Sequence, residues 1–515
     1  MDVLWHDLPD VSPVIRTLPV ELWEEKALVP SNKNSGAEEI LKIHLKRMPS
    51  PAECSGALRN ASRVKAIRFG NWQWNKSPSE DILYGAESYE ALHTLREYCA
   101  TYSTSAGVPR TLFPTLHTLH WDWYIGDAET FTELPFFVPE DLRTLEIKGL
   151  PPTASPVEAA MVDDSFSRLL KRCASLKVVQ LRFEHDGRLA GCEYLERITE
   201  LPLLETYRPK FPLSVSSLLR LGKHARLRDL SVNMKPDIDE RSMSSVTPGS
   251  LFPSARHLKI GSSQLAVCTQ IIKAVQSTLL ESLVVRVEGQ TEVTHTWLHS
   301  FLTALCRQRS LLRVSLKPSR YPERASQSYS TTPPSITMTT LRPLLVLPYI
   351  NDISLHFHDT IVQITDRDIE AISKALPGLR HFGIFSESPF QPRPEVSLDG
   401  IFLLVRNCPK LASISLSVDF TPPTEDLRRM VREWAGARDC CHSRSLHVAA
   451  HCTQAFEEVT DTEELAQFFA NLLPSRGDFH CTQHFTESVG DAEYRLICKR
   501  WRELSNRIWK LQGRR

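Results

Sequence analysis

The stretch LESLVV, residues 280–285, decides the fold because its spacing of apolar residues returns along the whole chain. An apolar residue comes first, followed by two variable residues, an apolar one, a variable one and a last apolar one. The final three positions alternate in character, which is typical of a short strand with one buried face. We therefore read the first position, Leu280, as the residue that turns the chain into the strand.

Further copies of this spacing are distributed from one end of the chain to the other. They begin at Val64, Leu116, Leu142, Leu176, Leu227, Ala255, Leu311, Ile350, Leu379 and Leu411, with a degenerate copy from Leu204. Their separation is irregular but fits the period of a leucine-rich repeat once insertions are allowed. The pattern therefore predicts a repeat protein.

The segments between the copies show the apolar periodicity of amphipathic helices. They cover residues 87–99, 162–173, 215–224, 266–278, 296–309, 365–377 and 397–409. Thr365 and Ser397 occupy helix-capping positions, and two segments end at a proline, Pro377 and Pro409, just before the next strand. Strands alternating with helices in parallel register predict an α/β leucine-rich-repeat-like solenoid, with strands on its concave face, helices on its convex face and a cap at each end.

A doubly wound α/β enzyme is the alternative, since it also alternates strands and helices. Such folds have longer, uniformly apolar strands and a Gly-rich turn after the first strand. The sequence contains neither G-x-G-x-x-G nor G-x-x-x-x-G-K-[ST]. The short, regular strands favour the solenoid.

Changes in composition divide the chain into three regions. Residues 1–58 are predicted to form an N-terminal bridge or cap, residues 59–420 the solenoid, and residues 421–515 a helical C-terminal cap. Within the solenoid, residues 318–340 are rich in Ser, Thr and Pro and predict an exposed, mobile insertion.

Composition and charge exclude several functional classes. The formal net charge of this 515-residue chain is zero, which argues against a partner held by bulk electrostatics, such as nucleic acid or a membrane surface. No apolar run is long enough for a membrane helix, and the N-terminus lacks a secretory signal. We expect a cytoplasmic or nuclear protein whose twelve cysteines are reduced thiols, several of them buried.

The sequence contains no signature of catalysis or of cofactor binding. It lacks a G-x-S-x-G elbow and an H-E-x-x-H metal motif, so we predict no enzyme activity and no cofactor. Residues 440–484 include CCHSRSLHVAAHC and HCTQH, whose side chains are of the types that bind zinc. Without a paired C-x-x-C the spacing matches no zinc finger, so we predict no metal site and keep metal binding as the alternative.

Side-chain alternation predicts the binding face, because residues between the apolar strand positions point to the concave surface. The predicted rows contain Arg68, His120, Asp122, Glu146, Lys148, Gln180, Arg182, Glu184, Asn233, Arg286, Glu288, Lys317, His356, His358, Phe385 and Asp419. Both charge signs occur with a few aromatic and imidazole groups, which suits a protein partner. The predicted partner-binding residues are Arg182, Arg286, His356, Phe385, His120, Glu184 and His358.

The N-terminal segment DVLWHDLPDVSPVIRTLPVELWE, residues 2–24, is followed by the repeat motifs FPTLHTL, CASLKVVQL and NCPKLASISL. Together they resemble the F-box proteins of mushroom-forming fungi, in which a similar segment bridges the F-box to the repeats. The resemblance implies a non-enzymatic substrate receptor of a cullin-type ubiquitin ligase. Family members carry the F-box upstream of this segment, so a ligase adaptor is expected as partner only if an F-box precedes it. The alternative is a free-standing repeat scaffold with no link to ubiquitin.

Overall fold

We describe the protein from a computed structural model of the chain. The described residues are 5–8, 12–28, 40–47, 49–69, 95, 97, 111–122, 132, 134–135, 137–148, 156–182, 197–288, 293–318, 334–357, 360–386, 394–419, 424–433, 447–452, 462–472, 478–483 and 491–513. The chain divides into two compact units, Met1–Asn233 (unit 1) and Met234–Arg515 (unit 2).

Unit 1 is built on a parallel sheet whose strands follow the predicted repeats. Its strands are β1 (Asp7–Leu8), β2 (Trp23–Leu28), β3 (Ile40–Leu45), β4 (Ala66–Phe69), β5 (Thr118–Asp122), β6 (Thr144–Lys148), β7 (Val178–Arg182), β8 (Thr206–Pro209), β9 (Pro212–Leu213) and β10 (Asp229–Met234). Strands β1, β4, β5, β6, β7, β8 and β10 pair in that order, each parallel to the next. Strands β2 and β3 form a separate antiparallel pair.

The helices of unit 1 stand between these strands along the chain. Within the described residues, the helices with defined bounds are α1 (Ser12–Ile15), α2 (Pro51–Ala61), α3 (Pro156–Arg172) and α4 (Val215–Leu221). Helix α2 begins with a capping box, in which the Ser50 backbone N–H donates to Glu53 and the Ser50 side chain accepts from the N3 backbone. The N-terminal residues expected to form a bridge or cap thus contribute strand β1 and helix α2.

Unit 2 repeats the same arrangement with longer strands. Its strands are β11 (His257–Ser262), β12 (Ser282–Val287), β13 (Arg313–Pro318), β14 (Ser335–Thr337), β15 (Asp352–Phe357), β16 (Ile361–Gln363), β17 (His381–Ser386), β18 (Ser413–Ser417), β19 (His447–Cys452) and β20 (Asp478–Gln483). Strands β11, β12, β13, β15, β17, β18, β19 and β20 form a parallel sheet in that order. Strands β14 and β16 form a separate parallel pair.

The helices of unit 2 contact one another from repeat to repeat. They are α5 (Leu265–Ala274), α6 (His295–Leu305), α7 (Met338–Leu341), α8 (Asp366–Ala375), α9 (Leu398–Asn407), α10 (Thr424–Glu433), α11 (Thr462–Leu472) and α12 (Asp491–Leu511). Helix α5 contacts α6, α8 contacts α9, and α11 contacts both α10 and α12. Thr365 and Ser397 cap α8 and α9, accepting from the backbone N–H groups of Asp368 and Asp399, which confirms the predicted helix starts.

The apolar strand positions form the core of each unit. Ten central positions of the repeat are buried as the pattern predicts: Leu119, Leu145, Val179, Leu230, Leu258, Leu283, Val314, Ile353, Phe382 and Ile414. Ile67, the central residue of the first copy, is buried as well. The degenerate copy from Leu204 is strand β8, which buries Tyr207. The predicted fold class, an α/β leucine-rich-repeat-like solenoid, is confirmed.

The C-terminal region differs from the helical cap expected for residues 421–515. The three expected helices are α10, α11 and α12, but strands β19 and β20 lie between them and continue the parallel sheet. The Cys- and His-rich segments supply these two strands. Repeats of strand and helix therefore extend further than the sequence pattern indicated.

The described residues of the segment expected to be a mobile insertion, residues 318–340, belong mostly to regular secondary structure. Pro318 ends β13, and residues 334–340 form β14 and most of α7, with Ile336, Thr340 and Leu341 buried. Residues 319–333 lie outside the described ranges. Among the described helices, none combines the length and apolarity that crossing a bilayer requires.

Candidate functional site

The side of each sheet opposite the apolar core carries the candidate binding residues. In β12, Leu283 and Val285 are buried, whereas Arg286 between Val285 and Val287 is exposed. The alternation follows from the pleat of a strand, which sends successive side chains to opposite sides. We call this second side the open face and describe it separately for each unit.

In unit 1, a buried carboxylate joins three neighbouring strands on the open face. Glu146 of β6 is only 5% exposed. His120 Nδ1 of β5 lies 2.9 Å from Glu146 Oε2, and since a carboxylate can only accept, Nδ1 carries the proton of this hydrogen bond. Arg182 Nε of β7 lies 2.9 Å from Glu146 Oε1, as an ion pair that lacks the alignment of a hydrogen bond.

The surroundings of Glu146 favour its charged form. Burial is the largest single influence and raises the pKa of the carboxyl, because it removes the charge from water. The hydrogen bond from His120 and the positive charges of Arg182, His120 and Lys148 act in the opposite direction and together outweigh burial. The pKa of Glu146 is therefore lowered, and the cluster contains a fixed negative charge between basic groups.

A second ion pair lies beside this cluster. Both Nε and Nη2 of Arg208 in β8 donate to the Asp229 carboxylate of β10, the Nε–Oδ1 distance being 3.1 Å. Arg182 Nη2 also donates to Gln180 Oε1 at 3.2 Å. Arg208 and Asp229 are not among the contact residues predicted from the sequence. Alternation within the degenerate copy nevertheless places Arg208 level with Gln180, its partner in the sheet register.

In unit 2, the predicted residues fall into one row across the strands. Arg286 and Lys317 are register partners on β12 and β13, and both side chains are exposed. His356 and Phe385 are register partners on β15 and β17, and their rings are in contact with centroids 4.0 Å apart. We call these four residues the cationic–aromatic row.

A parallel row of small residues, which the sequence analysis missed, borders the cationic–aromatic row. Sheet register aligns Val284, Ser315, Ser354, Gly383 and Ser415, one from each of five successive strands. We call it the small-residue row. Beyond it, Arg313 Nε of β13 lies 2.6 Å from Asp352 Oδ2 of β15. The small-residue row could have been predicted from the sequence, because its members lie two residues before those of the cationic–aromatic row in each strand that the two rows share. They were not predicted because serine and glycine are not typical contact residues.

The described residues among the predicted partner-binding residues fall into two groups, one in each unit. His120 and Arg182 meet through Glu146 in unit 1, while Arg286, His356 and Phe385 share the row of unit 2. Glu184 and His358 lie outside the described residues. The sequence indicated the face of each residue but not these contacts, which depend on the register between strands.

Groups of three or more His, Cys, Asp or Glu side chains suited to a metal are absent from the described residues. The side chains of β19 and β20 are not among those described, so the Cys/His segment is untested as a ligand set.

An open cavity of about 620 Å³ in unit 1 is lined by Thr199, Glu200, Arg220, Lys223, His224 and Ala225.

The described cysteines behave as apolar core residues. Cys54, Cys173, Cys268 and Cys408 are buried free thiols, as predicted, and Cys306 is half-buried. Burial raises the pKa of Cys173, Cys268 and Cys408 to about 12 and that of Cys54 to about 11. Such thiols are poor nucleophiles at neutral pH, because the thiolate is the reactive form.

Comparisons with known proteins give a structural neighbour and no family. No protein-family model and no curated protein matches the chain. Among solved structures, the chain is similar to the one described as "Crystal structure of TLR13-ssRNA13 complex", with 12% sequence identity and a TM-score of 0.34. The match covers 85% of this chain and 54% of that chain, so this chain spans about half the length of its structural neighbour.

Proposed function

We propose that this protein recognises a partner protein on the open faces of its repeat units. The observation that carries the proposal is the buried Glu146 carboxylate, paired with His120 and Arg182 on an otherwise solvent-exposed side of the sheet. Ion pairs between strands hold these side chains in place before a partner arrives. Such preorganisation reduces the entropy lost on binding.

The charge pattern supports a protein as the partner class. On unit 1, Arg182 is paired with Glu146 and Arg208 with Asp229, so both signs are presented together. Protein surfaces also carry both signs, and complementary patches select the correct partner. We propose a non-enzymatic role, since these groups are paired with one another across the face.

The resemblance of residues 2–24 to the bridge of fungal F-box proteins supports a narrower proposal. In it, the chain is the substrate-binding part of a cullin-type ubiquitin ligase receptor in the cytoplasm or nucleus. The competing proposal is a repeat scaffold without a ligase partner. Co-purification of the tagged full chain from its own cells separates the two, because only the receptor brings down the ligase adaptor and cullin.

The face assignment is tested by an alanine scan with protein capture as the readout. Alanine at Arg182, Arg286, His356 or Phe385 is compared with alanine at Arg168, Lys273, Arg307 or Lys374, which belong to helices or to the turn after one. We expect the open-face changes to weaken capture of the partner found with the wild-type chain, by about tenfold or more for a central residue. Equal losses in both groups, or losses only in the second group, would show that the open face is not the binding surface.

A further inference from the structure

The open face of unit 2 contains a shallow groove that crosses five strands. Its floor is the small-residue row, Val284 to Ser415, and one wall is the cationic–aromatic row. The opposite wall is formed by residues two positions earlier, including the Arg313–Asp352 pair. Strands in a sheet are about 4.8 Å apart, so the floor is about 19 Å long, the length of about six residues of extended peptide.

The charges along this groove are predominantly positive. Arg286 and Lys317 occupy adjacent strands, and within the described part of the chain neither forms an ion pair. Lys259 of β11 is the register partner of Val284, the residue at which the floor begins. Arg313 is already paired with Asp352. The acid nearest in sequence to Arg286 is Glu288, which is exposed just after β12. Like charges on neighbouring strands destabilise a sheet, so an anion bound between Arg286 and Lys317 would offset the repulsion between these two side chains.

Two buried hydroxyls give an independent indication of a ligand. Ser315 on the floor is 6% exposed and Ser417, which follows Leu416 in β18, is 8% exposed. Neither Oγ has a hydrogen-bond partner among the described residues. Both lie between core-facing neighbours, so their side chains point to the open face. A buried hydroxyl without a partner is unfavourable, and a peptide carbonyl or carboxylate above the floor would accept its hydrogen bond.

We infer that this groove binds an extended acidic peptide segment of a partner protein, a conclusion that builds on the proposed protein-recognition function. Carboxylates at one end pair with Arg286 and Lys317, and the peptide backbone accepts hydrogen bonds from the floor hydroxyls. At the other end, the His356–Phe385 ring pair, whose planes are tilted by 36°, offers an aromatic surface for an apolar or aromatic side chain. A narrow peptide fits because the floor side chains are small.

Single-stranded RNA is the other polyanion to consider, and the charge density favours the peptide. Tight RNA binding needs many cations that follow the phosphate backbone. Here two unpaired cations stand at one end of the groove, and Asp352 lies on the opposite wall. The test therefore includes RNA as a competing outcome.

The probe is a fluorescein-labelled peptide of four Glu-Ser repeats, and the readout is fluorescence anisotropy with the full-length chain. We expect it to bind at least about tenfold more tightly than the matched Gln-Ser peptide, since hydrogen bonds to charged groups exceed neutral ones. The double variant Arg286→Glu/Lys317→Glu should weaken binding at least about tenfold. Ser354→Leu, which fills the floor without changing charge, should also weaken it.

The matched control is Arg307→Glu/Arg309→Glu, which makes the same change of charge in the exposed turn after helix α6. It should leave the affinity within about twofold of wild type, and circular dichroism checks that every variant is folded. Four results would overturn the inference: no binding of the Glu-Ser peptide, equal weakening by both double variants, unchanged binding by Ser354→Leu, or tighter binding of a 13-nucleotide RNA. If the alanine scan still locates a partner on the open face, any of these results refutes the acidic-peptide inference but not the proposed protein-recognition function.

Discussion

At the residue scale, Glu146 shows how a carboxylate remains ionised although its strand neighbours Leu145 and Ile147 are part of the core. Burial opposes the charge, while His120, Arg182 and Lys148 stabilise it. A carboxyl whose pKa is lowered by folding stabilises the folded state above its unfolded pKa, about 4.3, and this stabilisation is lost as the pH falls through the folded pKa.

Glu146→Gln should therefore reduce the free energy of unfolding at pH 7 by about 1–3 kcal/mol, the range for hydrogen bonds to charged groups. The difference from wild type should shrink as the pH is lowered from about 5 toward the folded-state pKa. Urea unfolding across this pH range measures it. Glu205→Gln, which breaks the more exposed pair between Lys177 and Glu205, is the control and should cost at most about 1 kcal/mol. A pH-independent difference would mean that the charge of Glu146 is not what matters.

Leu283 represents the central apolar position of a repeat and is fully buried. Leu283→Ala should lower the free energy of unfolding by about 2–5 kcal/mol, because it removes buried methyl groups and leaves a cavity. Val284→Ala, one residue along and on the open face, should cost clearly less. Chemical denaturation of both variants checks the register directly, and a larger cost for Val284→Ala than for Leu283→Ala would show that the two faces of β12 are interchanged.

At the element scale, helices α8 and α9 are connected through their N-termini. Asp366 of α8 accepts hydrogen bonds from the Ser397 backbone N–H at 2.9 Å and from Ser397 Oγ at 2.7 Å, and Ser397 caps α9. Gly400 of α9 lies directly against this bridge. A Cβ added there would collide with Asp366 Oδ1 and would lie 2.9 Å from Val396 Cγ1.

Gly400→Ala should therefore be destabilising, although alanine is the better helix former by about 1 kcal/mol. We expect a net loss of about 1–3 kcal/mol, the range for overpacking, because Asp366 must leave Ser397. Thermal or urea unfolding measures the loss. Gly378→Ala, with no atom within 4 Å of its added Cβ, is the control and should stay within about 0.5 kcal/mol of wild type. A stabilised Gly400→Ala protein would show that the bridge yields without cost.

Periodicity predicted most of these elements because apolar spacing is a local property of the chain. Periodicity failed to predict β19 and β20. In their repeats the first position, three residues before Val448 and Phe479, is occupied by the polar residues Ser445 and Arg476 where the pattern requires an apolar residue. The periodicity also gave no indication of strand β14, in which Ile336 is buried. On the binding face, alternation identified His120, Glu146 and Arg182, but their contacts depend on interstrand register, which loop lengths determine and no local pattern encodes.

At the scale of the whole molecule, each described strand in the parallel sheet of unit 2 is hydrogen-bonded to the strands next to it in the sheet order. Stability in such arrays is the sum of repeat terms and nearest-neighbour terms. Damage to one repeat should consequently spread to its neighbours and fade with distance along the unit.

Leu283→Ala offers a test by hydrogen exchange with mass spectrometry. Amide protection should fall most in β12, next in the flanking strands β11 and β13, and least in β17 and β18. The comparison is made between variant and wild type in native buffer. A uniform loss of protection across unit 2 would indicate a single cooperative unit in place of an array.

The parallel sheet of unit 2 pairs its strands residue for residue in the order β11, β12, β13, β15, β17, β18, β19 and β20. Duplicating one repeat in the gene would insert a strand without disturbing the alignment on either side. Each row of side chains would then lengthen by about 4.8 Å, enough for one or two more peptide residues. The length of the segment that this face recognises can accordingly change by whole-repeat steps during evolution, while point substitutions adjust its chemistry independently.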